Sequence, residues 1–313
     1  MRVCILGAGG CFGQNLVMYL SKFGYTVLGI GRSPVKPEPY SLGFQYDYRI
    51  WHLVDQFDSA WEDIEGFNPE VIVSFAAHAG LVPQSWVYPE AFYATNLLLP
   101  VKIAKRLDKG CRYIHIGSSE VYGSNDRPVG ETAPIRCASP YAVSKAAADL
   151  HLMTLKDDRI TVIRPSNCYC PGQALYRLIP RAVLSAISGI KMPLQGQAQK
   201  SYMHSEDLSS AIELLLRNPQ PGIFNVGPEI PIGIHKVVDL VAQAFEMGLE
   251  DIAEVKPGRL HEDQCYWLSS EKIMRLGWKP VISLGQGIDE MAKWGRKYAE
   301  KIINLPVEYQ FHA

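Results

Sequence analysis

The most constraining feature of this sequence stands at its start. An apolar run, Arg2 to Leu6, ends in Gly7-Ala8-Gly9-Gly10-Cys11-Phe12-Gly13, and an amphipathic segment from Gln14 to Phe23 follows. Glycines spaced as Gly7-x-x-Gly10-x-x-Gly13 suit a strand-to-helix turn that receives a pyrophosphate. The first permits the tight turn, the second lets the backbone approach the phosphates, and the third lets helix pack on strand. The helix N-terminus then offers free N–H groups and positive dipole potential to the anion. This turn, with Cys11 and Phe12 inside it, predicts a dinucleotide-binding α/β fold.

The first half of the chain repeats the alternation. Strand-like runs at Thr26 to Ile30, Val71 to Phe75, Tyr113 to Ile116 and Ile160 to Ile163 alternate with helical patterns at Pro89 to Leu107 and Tyr141 to about Leu155. The stretch between Ile30 and Val71 reads as a polar, Pro-rich loop. Continuous apolar strands separated by helices imply a parallel sheet covered on both faces. The predicted fold is a Rossmann-type doubly wound sheet with its ligand beyond the C-terminal strand ends. After Arg164-Pro165 the loops lengthen and the helices shorten. That change divides the chain into a dinucleotide-binding domain at 1–165 and a smaller α/β substrate-binding region at 166–313. Gly222 to Val226 reads as one strand returning to the main sheet.

Composition removes several function classes. With 31 basic and 32 acidic residues and no charge run, neither nucleic acid nor a membrane surface is an expected partner. No apolar run approaches the roughly 20 residues of a membrane span. Met1-Arg2 leads into a first strand rather than a leader peptide, so a cytoplasmic enzyme is expected. Seven cysteines at 4, 11, 111, 137, 168, 170 and 265 form no CxxC pair, which points to free thiols in a reducing compartment. Cys168 and Cys170 lack the partners a metal site needs, so no metal is expected.

Two further stretches carry chemistry. The second strand ends in Gly31-Arg32-Ser33, without the carboxylate that would hold an NAD ribose. Arg32 and Ser33 suit a 2′-phosphate, so NADP(H) is favoured and NAD(H) stays open. The chain's single Tyr-x-x-x-Lys, Tyr141 to Lys145, lies some 20 residues after Ser118, which follows a predicted strand. Tyr and Lys four apart share one helical face, and an adjacent ammonium favours the phenolate. Ser118 can share the same substrate oxygen.

Together, Gly7-x-x-Gly10-x-x-Gly13, Ser118-Ser119-Glu120-Val121-Tyr122-Gly123 and Ser139-Pro140-Tyr141-Ala142-Val143-Ser144-Lys145 resemble the extended short-chain dehydrogenase/reductase family, in its nucleotide-sugar epimerase/dehydratase branch. Arg164-Pro165-Ser166-Asn167, Pro171-Gly172-Gln173, Tyr202-Met203-His204-Ser205-Glu206-Asp207 and Leu276-Gly277-Trp278-Lys279-Pro280 extend the resemblance over nearly the whole chain. The resemblance implies that Tyr141 is the general acid/base for hydride transfer at a sugar carbon, usually C4. Lys145 would hold the nicotinamide ribose and tune Tyr141, while Ser118 would orient the sugar oxygen. By the same resemblance Asp47 sits near the adenine, and Ala76, Ala77 and Asn96 line the cofactor groove. Ser119 lies on the substrate side, and Asn167 and Arg259 contact the substrate diphosphate. Lys200 stands where the family commonly has an arginine, giving a point charge instead of a bidentate fork. A homodimer through Pro89–Leu107 and Tyr141–Leu155 is also implied.

Glu120 separates the candidate reactions. In the resembling dehydratases a glutamate there serves as base for a C5 proton, yet GDP-linked 4-keto reductases also show Gly-Ser-Ser-Glu. The thymidine-linked dehydratases carry Asp where this chain has Ser119. A GDP-sugar 4-keto reductase or 4-dehydrogenase therefore ranks first and a 4,6-dehydratase or epimerase second. A dinucleotide-binding sensor without chemistry is the alternative from another class.

Overall fold

The computed structural model describes residues 1–41, 43, 45–79, 82–257 and 265–308. From the N-terminus, β1 (Arg2–Leu6) leads through the glycine turn into α1 (Cys11–Ser21), followed by β2 (Thr26–Gly31), β3 (Asp47–Ile50), α2 (Phe57–Phe67) and β4 (Val71–Ser74). Next come α3 (Val82–Val87), α4 (Pro89–Tyr93) and α5 (Leu99–Arg106), the last two joined by a π-helical turn at Ala94–Leu98. β5 (Arg112–Ile116), a 3₁₀ turn at Ser119–Tyr122, α6 (Pro140–Thr154) and β6 (Ile160–Pro165) complete the first half. Beyond them lie β7 (Asn167–Tyr169), α7 (Leu178–Ser188), β8 (Met192–Gln195), β9 (Gln199–Lys200), β10 (Tyr202–His204), α8 (Ser205–Arg217) and β11 (Gly222–Val226).

Seven strands form one parallel sheet in the order β11-β6-β5-β4-β1-β2-β3. The sheet grows one way from β1 through β2 and β3, and the other way from β4 through β11. That reversal between β1 and β4 opens a crevice at the C-terminal strand ends. The strands are buried on both faces, as Val71-Ile72-Val73 in β4 shows. One face packs on α1 and α8 through Leu16, Val17, Leu208 and Ile212. The other packs on α2, α5 and α6 through Trp61, Ile64, Ile103 and Leu152. A separate core, built from the chain after β6, gathers Ile179, Val183, Val237, Met291 and Trp294. No helix among the described residues is long and apolar enough to cross a membrane.

The expected elements are present with shifted ends, and β11 pairs with β6 as the returning strand. The segment expected to be a loop after Ile30 instead holds β3 and α2. β3 is a short edge strand, largely exposed, so it lacks the apolar run of its neighbours. α2 buries Phe57, Ala60, Trp61 and Ile64, a helical spacing that its charged residues disguise.

Candidate active site

The glycine turn is built from local backbone geometry. Gly7 has φ +80°, in the left-handed region, and a Cβ there would come within 2.8 Å of the Ala76 nitrogen. Gly7 and Ala8 both donate to the Ile30 carbonyl, at 2.7 and 3.1 Å, which ties the turn to β2. A Cβ on Gly13 would collide with the Gly7 carbonyl, so α1 can sit this close only with glycine there. Gly10 caps α1 without a side-chain hydrogen bond, leaving its first N–H groups for an anion. The cradle fits the pyrophosphate of a dinucleotide.

Cys11 opens α1, but its sulfur is bonded to Cys170, 159 residues away. The expected seven free thiols therefore become five: Cys4, Cys111, Cys137, Cys168 and Cys265. The sequence offered no sign of this pairing, because it depends on the loop after β7 folding over the glycine turn. Phe12, next in α1, lines a pocket together with Tyr141 and Lys145.

Beside the turn, a recess of about 280 Å³ is lined by Gly7, Gly31, Arg32, Ser33, Lys36, Tyr48, His52, Leu53, Ala76 and Ala77, among others. None of its described lining residues is a carboxylate. Tyr48 explains why: its hydroxyl, which donates to the Ser33 carbonyl at 2.7 Å, fills the space a side chain at Gly31 would need. Lys36 and His52 add basic groups that motif reading missed, since both lie in the stretch taken for a loop. Asp47 does not reach this recess. It begins β3 level with Leu28, away from the ligand end, and pairs with Arg49. Asn96 is also displaced from its expected role as a groove wall. It is buried in the π-helical turn, where its amide accepts from His78 N at 2.8 Å and donates to His78 O and Ser144 Oγ, both at 3.0 Å. It pins the loop after β4 from behind.

The residues expected to be catalytic lie where β5 meets α6. Ser139 accepts from Ala142 N at 3.1 Å and Pro140 takes the first helical position, so α6 begins one residue before Tyr141. Its 3.6-residue period then stacks Tyr141 and Lys145 one turn apart, facing the end of β5. Lys145 Nζ donates to the Ile116 carbonyl at 2.7 Å, and Tyr141 is hydrogen-bonded to Ser118. Glu120 N donates to Ser118 Oγ at 3.2 Å. A pocket of about 270 Å³ gathers Ser118, Ser119, Glu120, Tyr141 and Lys145 with Asn167 and Lys200. Lys200 sits over the Tyr266 ring at 5.1 Å. Arg177, not singled out by motif, lines the same pocket and donates to the Ala79 carbonyl. Arg259 lies outside the described residues.

The electrostatics correct one expectation. Burial pushes the Tyr141 phenol up to about 12, Glu120 adds to the rise, and the Ser118 hydrogen bond opposes it. Burial also brings the Lys145 ammonium down to about 8, against the pull of Asp149. Loss of hydration, with the Glu120 charge, thus raises Tyr141 where a neighbouring lysine charge was expected to lower it. At neutral pH the protonated phenol is the favoured form in this structure.

A doubly wound sheet, a glycine turn suited to a pyrophosphate and a Ser, Tyr, Lys set at one crevice define a Rossmann-type dinucleotide-binding fold. Residues 3–227 match the model of the NAD dependent epimerase/dehydratase family, and the chain belongs to that family. It is 29% identical over 212 residues to a trifunctional UDP-glucose 4,6-dehydratase/UDP-4-keto-6-deoxy-D-glucose 3,5-epimerase/UDP-4-keto-L-rhamnose-reductase of Arabidopsis thaliana, over 64% of this chain and 31% of that protein. The chain thus spans about a third of the length of that relative. To the dTDP-D-glucose 4,6-dehydratase of Mus musculus it is 27% identical over 321 residues, covering 95% of this chain and 89% of the relative. The solved dTDP-glucose 4,6-dehydratase of Bacillus anthracis in complex with NAD superposes with a TM-score of 0.84 at 25% identity, covering 96% of this chain and 98% of that one.

Proposed function

We propose that this chain binds NADP(H) and transfers hydride at C4 of a nucleotide-diphosphate sugar, as a 4-keto reductase or 4-dehydrogenase. The observation that carries the reading is the gathering of Ser118, Glu120, Tyr141 and Lys145 with Asn167 and Lys200 in one pocket beside the glycine-turn recess. When bound, the nicotinamide supplies or accepts the hydride. Ser118 orients the C4 oxygen by hydrogen bonding, and Tyr141 delivers or removes its proton. Lys145, held on the Ile116 carbonyl, keeps a positive charge beneath the phenol. Asn167 and Lys200 hold the diphosphate, and Arg259 is assigned to it by family pattern. NADP(H) is favoured over NAD(H) by Arg32, Ser33 and Lys36 in a recess lined by no described carboxylate. A second copy of the chain is the proposed partner: Val143, Leu150 and Leu155 on and just after α6 and Leu98 before α5 are exposed apolar residues on the two helical stretches involved.

A GDP-linked sugar is the substrate favoured by Gly117-Ser118-Ser119-Glu120. Free GDP, UDP and dTDP test this directly. At a hundredfold excess over Kd, the matching nucleotide stabilises the fold by about 2.7 kcal/mol, a rise of roughly four degrees in Tm. Equal silence from all three nucleotides would remove the nucleotide-sugar reading.

One observation favours a dehydratase or epimerase as the second reading. Glu120 shares the pocket and its charge acts on Tyr141, where a base for a C5 proton would stand. Ser119 argues the other way, since a hydroxyl is a poor acid for expelling a C6 hydroxyl. Glu120→Gln is expected to cost about 1 kcal/mol, near fivefold in rate, if only C4 reacts. Product formed in deuterated water would then carry no deuterium at C5. Deuterium at C5 that disappears in Glu120→Gln would overturn the first reading and support C5 proton removal of the dehydratase type instead.

A further inference from the structure

Below the catalytic pair lies a buried ionic cluster that none of the chemistry so far uses. Asp149 is on α6, one turn beyond Lys145 and two beyond Tyr141, and is fully buried. Its Oδ2 accepts from Arg164 Nε at 2.7 Å, on β6. Its Oδ1 accepts no hydrogen bond from the described residues and lies 3.7 Å from His115 Nε2, on β5. Both oxygens occupy the space where a side chain at Gly117 would begin: a Cβ there would lie 2.9 and 3.0 Å from them. Gly117 separates Ile116, whose carbonyl holds Lys145, from Ser118. Arg164 continues the cluster by donating to the Tyr122 hydroxyl at 2.7 Å, which donates to Asn225 Oδ1 at 2.9 Å.

We propose that Asp149 is a positioning residue for this site: its carboxylate is the counter-charge that keeps Lys145 an ammonium and seats the Ile116–Gly117–Ser118 backbone against it. The proposal rests on the reading of Tyr141 and Lys145 as the working pair. The other titratable groups facing the cluster supply no such charge. Burial raises Tyr113, Tyr122 and Cys137 and keeps them protonated. Burial, with Lys145 adding to it, keeps His115 neutral. Glu120 acts on Tyr141 from the pocket side, and Arg164 carries the same sign as Lys145. Asp149 alone, among these described groups, opposes the loss of the Lys145 proton; burial raises its own carboxyl, and the Arg164 ion pair and Lys145 pull it back toward the charged form. A glycine is needed at 117 because the carboxylate occupies the place of its side chain.

The sign follows directly. Removing the Asp149 charge makes the buried ammonium less favourable, so Lys145 releases its proton at lower pH. NADPH fluorescence titrated between pH 6 and 10 reads this without substrate, since binding to the Lys145 ammonium weakens as it deprotonates. In the unaltered protein affinity is expected to fall near pH 8, and in Asp149→Asn the fall moves at least one pH unit lower. Lys145→Met is expected to abolish the step. Asp149→Asn leaves Arg164 without a counter-charge and can fail to fold. The double variant Asp149→Asn/Arg164→Gln pairs two amides instead and, because it also removes a charge that repels Lys145, is expected to show a smaller shift in the same direction. A step that vanishes in Lys145→Met but stays in place in both Asp149 variants overturns the proposal while leaving Lys145 at the cofactor. An unaltered protein with no step overturns the reading of Lys145 and the proposal with it.

Discussion

Tyr141→Phe is expected to lower turnover by about 10²–10⁴-fold while leaving the fold and cofactor affinity nearly unchanged. The substitution keeps the ring, which meets Phe92 edge-on with centroids 6.2 Å apart, and removes only the hydroxyl. What is lost is the proton that burial holds on the phenol and the hydrogen bond to Ser118. Fluorescence titration with NADPH and a circular dichroism spectrum check that binding and folding survive. Turnover on the natural substrate within a few-fold of the unaltered enzyme would show that another group moves the proton.

Arg32→Ala is expected to weaken NADP(H) binding by about 10- to 150-fold and to leave NAD(H) binding within about twofold. A hydrogen bond to a charged group contributes roughly 1.5–3 kcal/mol, and only the 2′-phosphate engages this one. Tyr48 strengthens the expectation, because its phenol excludes a side chain at Gly31 and so excludes a carboxylate there. Isothermal titration with both cofactors measures the ratio. Tighter binding of NAD(H) than NADP(H) by the unaltered protein would assign the recess to an unphosphorylated ribose. Lys36 and His52 would then be solvated surface groups.

Some features of this protein were legible because they are local. The turn from Leu6 to Gly13 carries its own conformational demands, so three glycines announce the strand, the helix and the anion between them. Tyr141 and Lys145 meet because a helix places residues four apart on one face, and Ser139-Pro140 starts that helix at the right residue. The apolar strands announce a sheet covered on both faces. β3 escaped notice because an exposed edge strand has no apolar run, and with it went His52 and the true place of Asp47.

The remainder was decided by contacts between residues far apart in the chain. Cys11 joins Cys170 across 159 residues, and nothing near either cysteine signals the other. Tyr48 fills the space beside Gly31 from the neighbouring strand, so the missing carboxylate is a packing consequence rather than a local preference. Asn96 holds the loop after β4 because a π-helical turn aims its amide at the His78 backbone. The same holds for proton affinity. Sequence placed a lysine beside a tyrosine and so predicted a depressed phenol, but burial raises it to about 12. Spacing along a helix determines which groups meet, whereas desolvation by the whole fold determines which of them holds the proton.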